Sequence, residues 1–173
     1  PLGMGNLDIR ASTLVSSPVT VFSTVLVPLD FESWPAASQR LAIAHERAHI
    51  EGKDFYVQWL AHFHRNLFWF NPFAWWLVRR LSLLSEHISD DAATRDADER
   101  TTYARLLLSL VQRTTVSSQV VPMIRDSSVG PRIERILREP QPTARIHRSK
   151  SLLLACALLP IISAVAAVQT MGP

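Results

Sequence analysis

A five-residue motif, H-E-R-A-H at residues 45–49, constrains this chain more than any other feature. It lies in a segment without a helix breaker, which starts with a capping residue, Ser33, has Pro35 in the expected first turn and runs to Gly52. Positions i and i+4 share one helix face, so both imidazoles can reach a single metal ion. Glu46 follows the first histidine and lies where it can take a proton from a water on that metal. The motif therefore predicts a metal-dependent hydrolytic site.

A third metal ligand is expected farther along the chain, because catalytic zinc sites use three protein ligands and leave one position for water. Glu86 is the candidate to join His45 and His49. It shares a face with Asp90 on a helix that Asn71-Pro72 is predicted to start. Asp90 can accept a hydrogen bond from the free N–H of a ligating histidine and so fix its ring. The alternative is a merely solvated acidic stretch, but the upstream motif favours one Zn²⁺ per chain held by two histidines and Glu86.

The rest of the chain predicts a mostly helical α+β domain with a short pair of strands at its N-terminus. The strand pair is expected within residues 13–29, which are rich in Val, Thr and Leu and bounded by prolines. Residues 114–130 lack a clear period and are expected to form a loop. Further helices are expected at residues 54–65, from 72 to about 94, at 99–113 and from Pro131 to just before Pro140.

Composition excludes several classes of protein. The formal net charge is only +3, and no basic run is interleaved with aromatic residues, so direct nucleic-acid binding is not expected. Cys156 is the single cysteine, which excludes an internal disulfide and a cysteine-based metal site. Residues 1–5 (PLGMG) resemble a protease-cleavage scar, so the peptidase-like domain is assigned to residues 6–148.

An apolar tail, residues 151–168, is predicted to cross a membrane. It contains no charged residue, and eighteen helical residues reach about 27 Å, enough for the hydrocarbon core of a bilayer. Arg145, Arg148 and Lys150 precede it and no charge follows, a pattern typical of a span whose N-terminal side faces the cytoplasm. Pro160, in the middle of the run, favours the alternative of a buried core helix.

Tryptophans are concentrated in one region, since four of the five lie between residues 59 and 76. Tryptophan is frequent at membrane–water interfaces, because its ring is apolar and its N–H needs a partner. The apolar run here is too short to cross a bilayer. Two interpretations stay open: an aromatic core, or a surface that lies against a membrane.

The combined motifs resemble the gluzincin metallopeptidases, and within them the membrane-embedded β-lactam sensor-transducers and their antirepressor relatives (BlaR/MecR type). The resemblance covers about residues 16–139 and is carried by VLVPL, AHERAHIEGKDF, FWFNPFAWWLVRR, SEHISDDAA, YARLLLSL and RIERIL. The stretch around Asn71-Pro72 is the most family-specific of these segments. One departure is the absence of a glycine that the family pattern leads us to expect near Ser23.

The resemblance implies a zinc endopeptidase domain on the cytoplasmic side of the cell (inner) membrane, between transmembrane helices. An extracellular signal then activates cleavage of a regulatory protein, such as a transcriptional repressor, and of the protease itself. Glu46 would be the general base, and protein substrate and membrane lipid the partners. The chain would be a fragment that lacks the earlier membrane helices and the sensor domain of a larger protein. For the oxyanion formed during cleavage, Tyr103 and Arg132 are only candidates.

Two rival functions stay open at this stage. One is a membrane quality-control protease of the heat-shock gluzincin type, which would use the same site on unfolded segments. The other is a signalling module without catalytic activity, in which zinc only holds two helices together.

Overall fold

The computed structural model describes residues 7–94, 97–117 and 129–138, and shows the expected mostly helical α+β architecture. Three strands come first and five helices follow, with a short 3₁₀ helix at Phe31–Ser33 between them. The strands are β1 (Asp8–Ser12), β2 (Val19–Val21) and β3 (Thr24–Pro28). The helices are α1 (Ala36–Glu51), α2 (Asp54–Leu67), α3 (Pro72–Ala93), α4 (Ala97–Ser117) and α5 (Val129–Leu137).

The sheet has three strands in the order β1-β3-β2, where the sequence predicted a pair. The predicted pair is the antiparallel hairpin of β2 and β3, with Thr20 opposite Val25. β1 was missed although its sequence DIRAS alternates polar and apolar residues, because it pairs in parallel with β3 and no local turn joins the two strands. Phe22, in the hairpin turn, has a φ of 57°, a conformation that favours glycine.

Helix α1 carries the H-E-R-A-H motif, but it begins later than predicted. Ser33 does not cap it, because this residue ends the 3₁₀ helix and its hydroxyl donates to the carbonyl of Asp30 at 2.6 Å. Pro35 occupies the N-cap position instead, one residue before the helix begins. The predicted end at Gly52 is confirmed. Gly52 and Lys53, which has a φ of 51°, form the sharp connection to α2.

Helix α3 begins where the sequence predicted it. The side chain of Asn71 accepts a hydrogen bond from the backbone N–H of Phe73 at 2.9 Å, and Pro72 is the first helical residue. The predicted loop at 114–130 is wrong at both ends, since α4 continues to Ser117 and α5 begins at Val129. The two threonines and the serine at the end of α4 have modest helix propensity but do not break a helix that is already formed.

Two apolar clusters hold these elements together. The larger one joins the sheet to α1, α4 and α5, and it includes Val25, Phe31, Leu41 and Tyr103. The smaller one lies between α2 and α3, around the fully buried Leu77 and Leu81 and the nearly buried Ala61. Helix α3 therefore packs on α1 along one part of its surface and on α2 along another. The crossing of α1 and α3 is the place where the motif residues and Glu86 can meet.

Within the ranges 7–94, 97–117 and 129–138, no helix is long and apolar enough to cross a membrane. The predicted membrane span at 151–168, Cys156 and the scar at residues 1–5 lie outside the described residues.

Candidate metal centre

Three side chains from α1 and α3 converge on one point. The Nε2 atoms of His45 and His49 are 3.1 Å apart, as expected one turn apart on α1. Glu86 completes the group from α3: its Oε2 is 3.7 Å from Nε2 of His45 and its Oε1 is 3.7 Å from Nε2 of His49. The ligand atoms of all three residues lie within 4.8 Å of one another, so the group can hold one metal ion. The structure thus brings together the three side chains that the sequence selected as ligands.

The ring of His49 is hydrogen-bonded through its Nδ1 atom to a carboxylate at the start of α2. Nδ1 of His49 lies 2.8 Å from Oδ2 of Asp54. The hydroxyl of Ser85 donates to the same carboxylate oxygen, and Oγ of Ser89 lies 3.2 Å from Nδ1. Because a carboxylate only accepts, Nδ1 carries the proton and Nε2 faces the convergence point with its lone pair.

The short connection between α1 and α2 positions the carboxylate of Asp54 beside His49. A Cβ atom at Gly52 would lie 2.9 Å from Oδ1 of Asp54 and 3.1 Å from the main-chain oxygen of Ala48. Only glycine leaves room for the carboxylate to reach back to His49. The contact of Asp54 with His49 was not predicted from the sequence, although Asp54 follows the motif by only five positions.

The ring of His45 is held through a tyrosine. Nδ1 of His45 is 2.8 Å from the hydroxyl oxygen of Tyr103 and 3.3 Å from Oδ1 of Asp90. Tyr103 donates its proton to Oδ1 of Asp90 at 2.9 Å, so its oxygen is free to accept from the N–H of His45. Asp90, proposed from the sequence to hold a histidine, lies beside His45 and also acts through Tyr103. Burial and the adjacent Asp90 charge raise the pKa of Tyr103 well above its usual value, so it stays a neutral donor.

This arrangement directs two imidazole lone pairs at each other. The two Nε2 atoms are 3.1 Å apart, so their lone pairs repel unless a cation lies between them. This cation can be a proton or a metal ion. Burial lowers the pKa of His49, but the hydrogen bond to Asp54 and the charges of Glu86 and Glu46 outweigh it and raise the pKa. Two nitrogens bound tetrahedrally to zinc lie about 3.3 Å apart, close to the spacing seen here. The donor set of two imidazoles and one carboxylate therefore fits zinc.

Glu46 lies next to this group and is oriented by the sheet. Its carboxylate is buried, and its Oε2 accepts a hydrogen bond from the hydroxyl of Thr20 at 2.8 Å. The same hydroxyl lies 3.1 Å from the main-chain oxygen of Glu46. Thr20 belongs to β2, so the short sheet fixes a carboxylate of α1. No sequence signal marked Thr20, because the contact joins residues far apart in the chain.

Arg132 joins α5 to the metal centre through two carboxylates. Its guanidinium donates to Asp90 from Nε at 3.0 Å and from Nη2 at 2.6 Å, and its Nη1 lies 2.8 Å from Oε2 of Glu86. Burial raises the pKa of Asp90, but hydrogen bonds from His45 and Arg132 outweigh it and hold this pKa far below its usual range. Burial likewise opposes the charge of Arg132, while the hydrogen bond to Asp90 raises its pKa. Arg132 therefore pairs with both Asp90 and Glu86 inside the site.

The other histidines of the described residues are His62, His64 and His87, and none of them belongs to this group. His87 lies beside Arg135, and burial together with that positive charge lowers its pKa. His62 is exposed on α2. His64 is buried against Phe68, with ring centroids 4.8 Å apart. Within the part of the chain that the structure describes, Nδ1 of His64 has no hydrogen-bond partner.

The fold and the site together define a class: a metallopeptidase-like domain in which one helix carries two histidines and a glutamate, and a second helix supplies a further glutamate. Comparison with known families agrees with this class. The family model described as BlaR1 peptidase M56 matches residues 3–136, and the chain belongs to this family of peptidases.

A curated relative lies within the same group of proteins. The regulatory protein BlaR1 of Bacillus licheniformis is 26% identical over 112 residues, which are 60% of this chain and 19% of the relative. The chain therefore corresponds to about a fifth of that relative's length. No solved structure matches the chain.

Proposed function

We propose that this chain is the catalytic domain of a membrane-anchored zinc metalloendopeptidase. The observation that supports it most is the convergence of His45, His49 and Glu86, with each imidazole held at its Nδ1 side so that its Nε2 lone pair faces the same point. Carboxylate partners of metal-ligating histidines, such as Asp54 at His49, are a general feature of zinc sites. The peptidase family supports the type of reaction.

Zinc at this site would act as a Lewis acid that makes water more acidic and polarises the peptide carbonyl. His45, His49 and Glu86 would hold it, and Asp54, Tyr103 and Asp90 would orient the two rings. The side chain of Glu86 is 33% exposed, against 11% for His45 and 15% for His49, so substrate would approach from the Glu86 side.

Glu46 would be the general base. It would take a proton from the attacking water and pass it to the amine that leaves when the peptide bond breaks. Its hydrogen bond from Thr20 occupies Oε2 and leaves Oε1 for this proton transfer.

The substrate and its regulation extend this proposal. We infer a cytoplasmic regulatory protein, such as a transcriptional repressor, as substrate, with self-cleavage as a second reaction and an extracellular signal as the trigger. The name of the relative, a regulatory protein, supports a role in regulation. The apolar run at 151–168, preceded by basic residues, supports attachment to the inner membrane with the peptidase on the cytoplasmic side.

Zinc content and cleavage, measured on the same samples, test this proposal. Purified chain in detergent should hold about one zinc, measured by mass spectrometry of the metal, and should cut an unfolded protein substrate. The His45→Ala variant should lose zinc, whereas Glu46→Gln should keep zinc and lose cleavage. Matched controls are His62→Ala and Glu51→Gln, since both residues are exposed. Cleavage by Glu46→Gln at the rate of the unchanged chain would contradict the mechanism.

The same samples separate the rival functions. A regulatory protease should cut one sequence in a mixture of candidate proteins, whereas a quality-control protease should cut any unfolded segment. Zinc binding without cleavage of any substrate, including the chain itself, would favour a module in which the metal only joins α1 to α3.

A further inference from the structure

Helix α2 has an apolar stripe on its outer surface as well as on its inner one. Val57 and Ala61 face α3 in the smaller core cluster. On the outside, Tyr56, Trp59 and Phe63 are each more than half exposed, at 58%, 63% and 51%, and Leu67 follows one turn later. Their spacing of three and four residues makes one continuous stripe along the helix. Packing within the described chain does not account for this second stripe.

Exposed aromatic residues continue from α2 through the connection into the start of α3. Trp69 and Phe70, in the connection between the helices, are each 69% exposed, and Phe73 stacks on Trp76 with ring centroids 5.3 Å apart. Trp59 likewise stacks on Phe63 at 5.9 Å. We call this surface the aromatic face; it consists of Tyr56, Trp59, Phe63, Leu67, Trp69, Phe70, Phe73, Trp75 and Trp76. Such a large exposed apolar surface marks an interaction site.

The charges on this part of the chain have one sign. No aspartate or glutamate occurs from residue 55 to residue 85, whereas Arg65, Arg79 and Arg80 lie in that stretch. The guanidinium of Arg65 lies 4.7 Å above the ring of Trp75, and Arg79 and Arg80 are exposed on α3. A surface that is aromatic and purely cationic is complementary to anionic lipid headgroups above an apolar interior. It is less suited to a second copy of itself, since the arginines would meet.

We propose that the aromatic face docks in the headgroup region of an anionic membrane, independently of the apolar run at 151–168. This inference rests on the membrane location in the proposed function and not on the peptidase activity. Helix α2 begins at Asp54, which holds His49, so docking would fix the metal centre close to the membrane surface. The preferred cleavage sites would then be segments close to a membrane.

Tryptophan fluorescence tests this proposal on the full chain. Trp34 is buried in the larger core cluster, and the other four tryptophans all belong to the aromatic face. The apolar run contains no tryptophan, so quenching by the lipid does not report on that run. Vesicles of phosphatidylcholine and phosphatidylglycerol with brominated acyl chains should quench more than half of the emission. Pure phosphatidylcholine vesicles should quench less, and high salt should reduce the difference.

Paired variants show whether the face itself is responsible. Phe63→Ser should reduce quenching, and Arg79→Glu with Arg80→Glu should abolish the preference for the anionic vesicles. The matched controls are Leu108→Ser and Arg105→Glu on α4, which exchange an exposed leucine and an exposed arginine away from the face. These controls should leave quenching unchanged.

Three outcomes separate this proposal from the alternatives. Chain that sediments with vesicles but shows no quenching is held by its apolar run alone, which would overturn the proposal and leave the membrane location intact. Concentration-dependent dimers that protect the tryptophans and resist vesicles would mean that a second copy covers the face, and the proposal would also be wrong. Quenching in a chain that binds no zinc and cuts nothing would support docking while the peptidase proposal fails.

Discussion

The hydroxyl of Thr20 lies 2.8 Å from Oε2 of Glu46, although one residue is on the second strand and the other on the first helix. Thr20 therefore holds the carboxylate proposed as the general base. Its strand pairs with β3, whose Val25 is fully buried in the larger core cluster. The small sheet thus has a role in orienting a side chain of the site, beyond covering the core.

Removal of this hydroxyl should slow cleavage without removing the metal. Thr20→Val keeps the shape of the side chain but leaves Oε2 of Glu46 without its donor, and a hydrogen bond to a charged group contributes about 1.5 to 3 kcal/mol. We expect kcat to fall about tenfold or more, with unchanged zinc content and KM, and Thr20→Ser should restore most of the rate. Thr24→Val is the matched control, since Thr24 donates to Asp8 at 3.0 Å, on the surface. Loss of zinc in Thr20→Val would mean that the residue has a structural role instead.

Loss of the carboxylate behind His49 should weaken metal binding. Asp54 accepts from Nδ1 of His49 at 2.8 Å, and removal of such a partner usually lowers zinc affinity by about 10- to 100-fold. Asp54→Ala should show this change in a titration with a competing chelator, and Gly52→Ala should shift the affinity in the same direction by displacing the carboxylate. Glu51→Ala, an exposed neighbour that pairs with Arg47, should bind zinc as the unchanged chain does. Equal affinities for all three variants would show that Asp54 does not orient the ring.

Sequence patterns predicted the parts of the site that depend on spacing within one helix. His45 and His49 lie one turn apart on α1, and Glu86 and Asp90 lie one turn apart on α3, so helical periodicity alone groups each pair. The start of α3 was also predictable, because the asparagine cap and the following proline are local signals.

The parts of the site that the sequence did not predict depend on contacts between segments that are distant in the chain. Tyr103 is buried on α4, and nothing in the sequence of that helix shows that its hydroxyl meets His45. Arg132 comes from α5 and reaches carboxylates more than forty residues earlier. β1 was missed for the same reason, since a parallel partner leaves no local turn signal. Periodicity describes one element at a time, and these contacts join several.

Removing one partner of the buried ion pair between Asp90 and Arg132 should lower the free energy of unfolding, because the other charge is then left buried and unpaired. Asp90 is fully buried, so Arg132→Met would leave its charge without a main partner and should lower the free energy of unfolding by about 3 kcal/mol. Adding Asp90→Asn removes that charge and should restore part of the loss. Urea unfolding of the single and double variants measures this coupling.

A surface pair at the C-terminal end of α5 serves as the control for this cycle. Arg138 pairs with Glu134, and both side chains are largely exposed, so Arg138→Met should change stability by no more than about 0.5 kcal/mol. If the effects of Arg132→Met and Asp90→Asn simply add, the two groups do not depend on each other, and α5 does not stabilise the site through this contact.

Metal binding should stabilise the folded chain, because the ligands converge only when α1 and α3 are packed together. A ligand at about 100 times its dissociation constant adds about 2.7 kcal/mol to the free energy of unfolding. For a chain of this size, that corresponds to a rise in Tm of roughly 5 to 10 °C. A thermal scan of chelator-treated protein, with and without zinc, should show this rise, and His45→Ala should not. His62→Ala should respond as the unchanged chain does, since its side chain is exposed on α2. An equal rise in His45→Ala would place the zinc elsewhere, and no rise in any form would contradict the proposed metal centre.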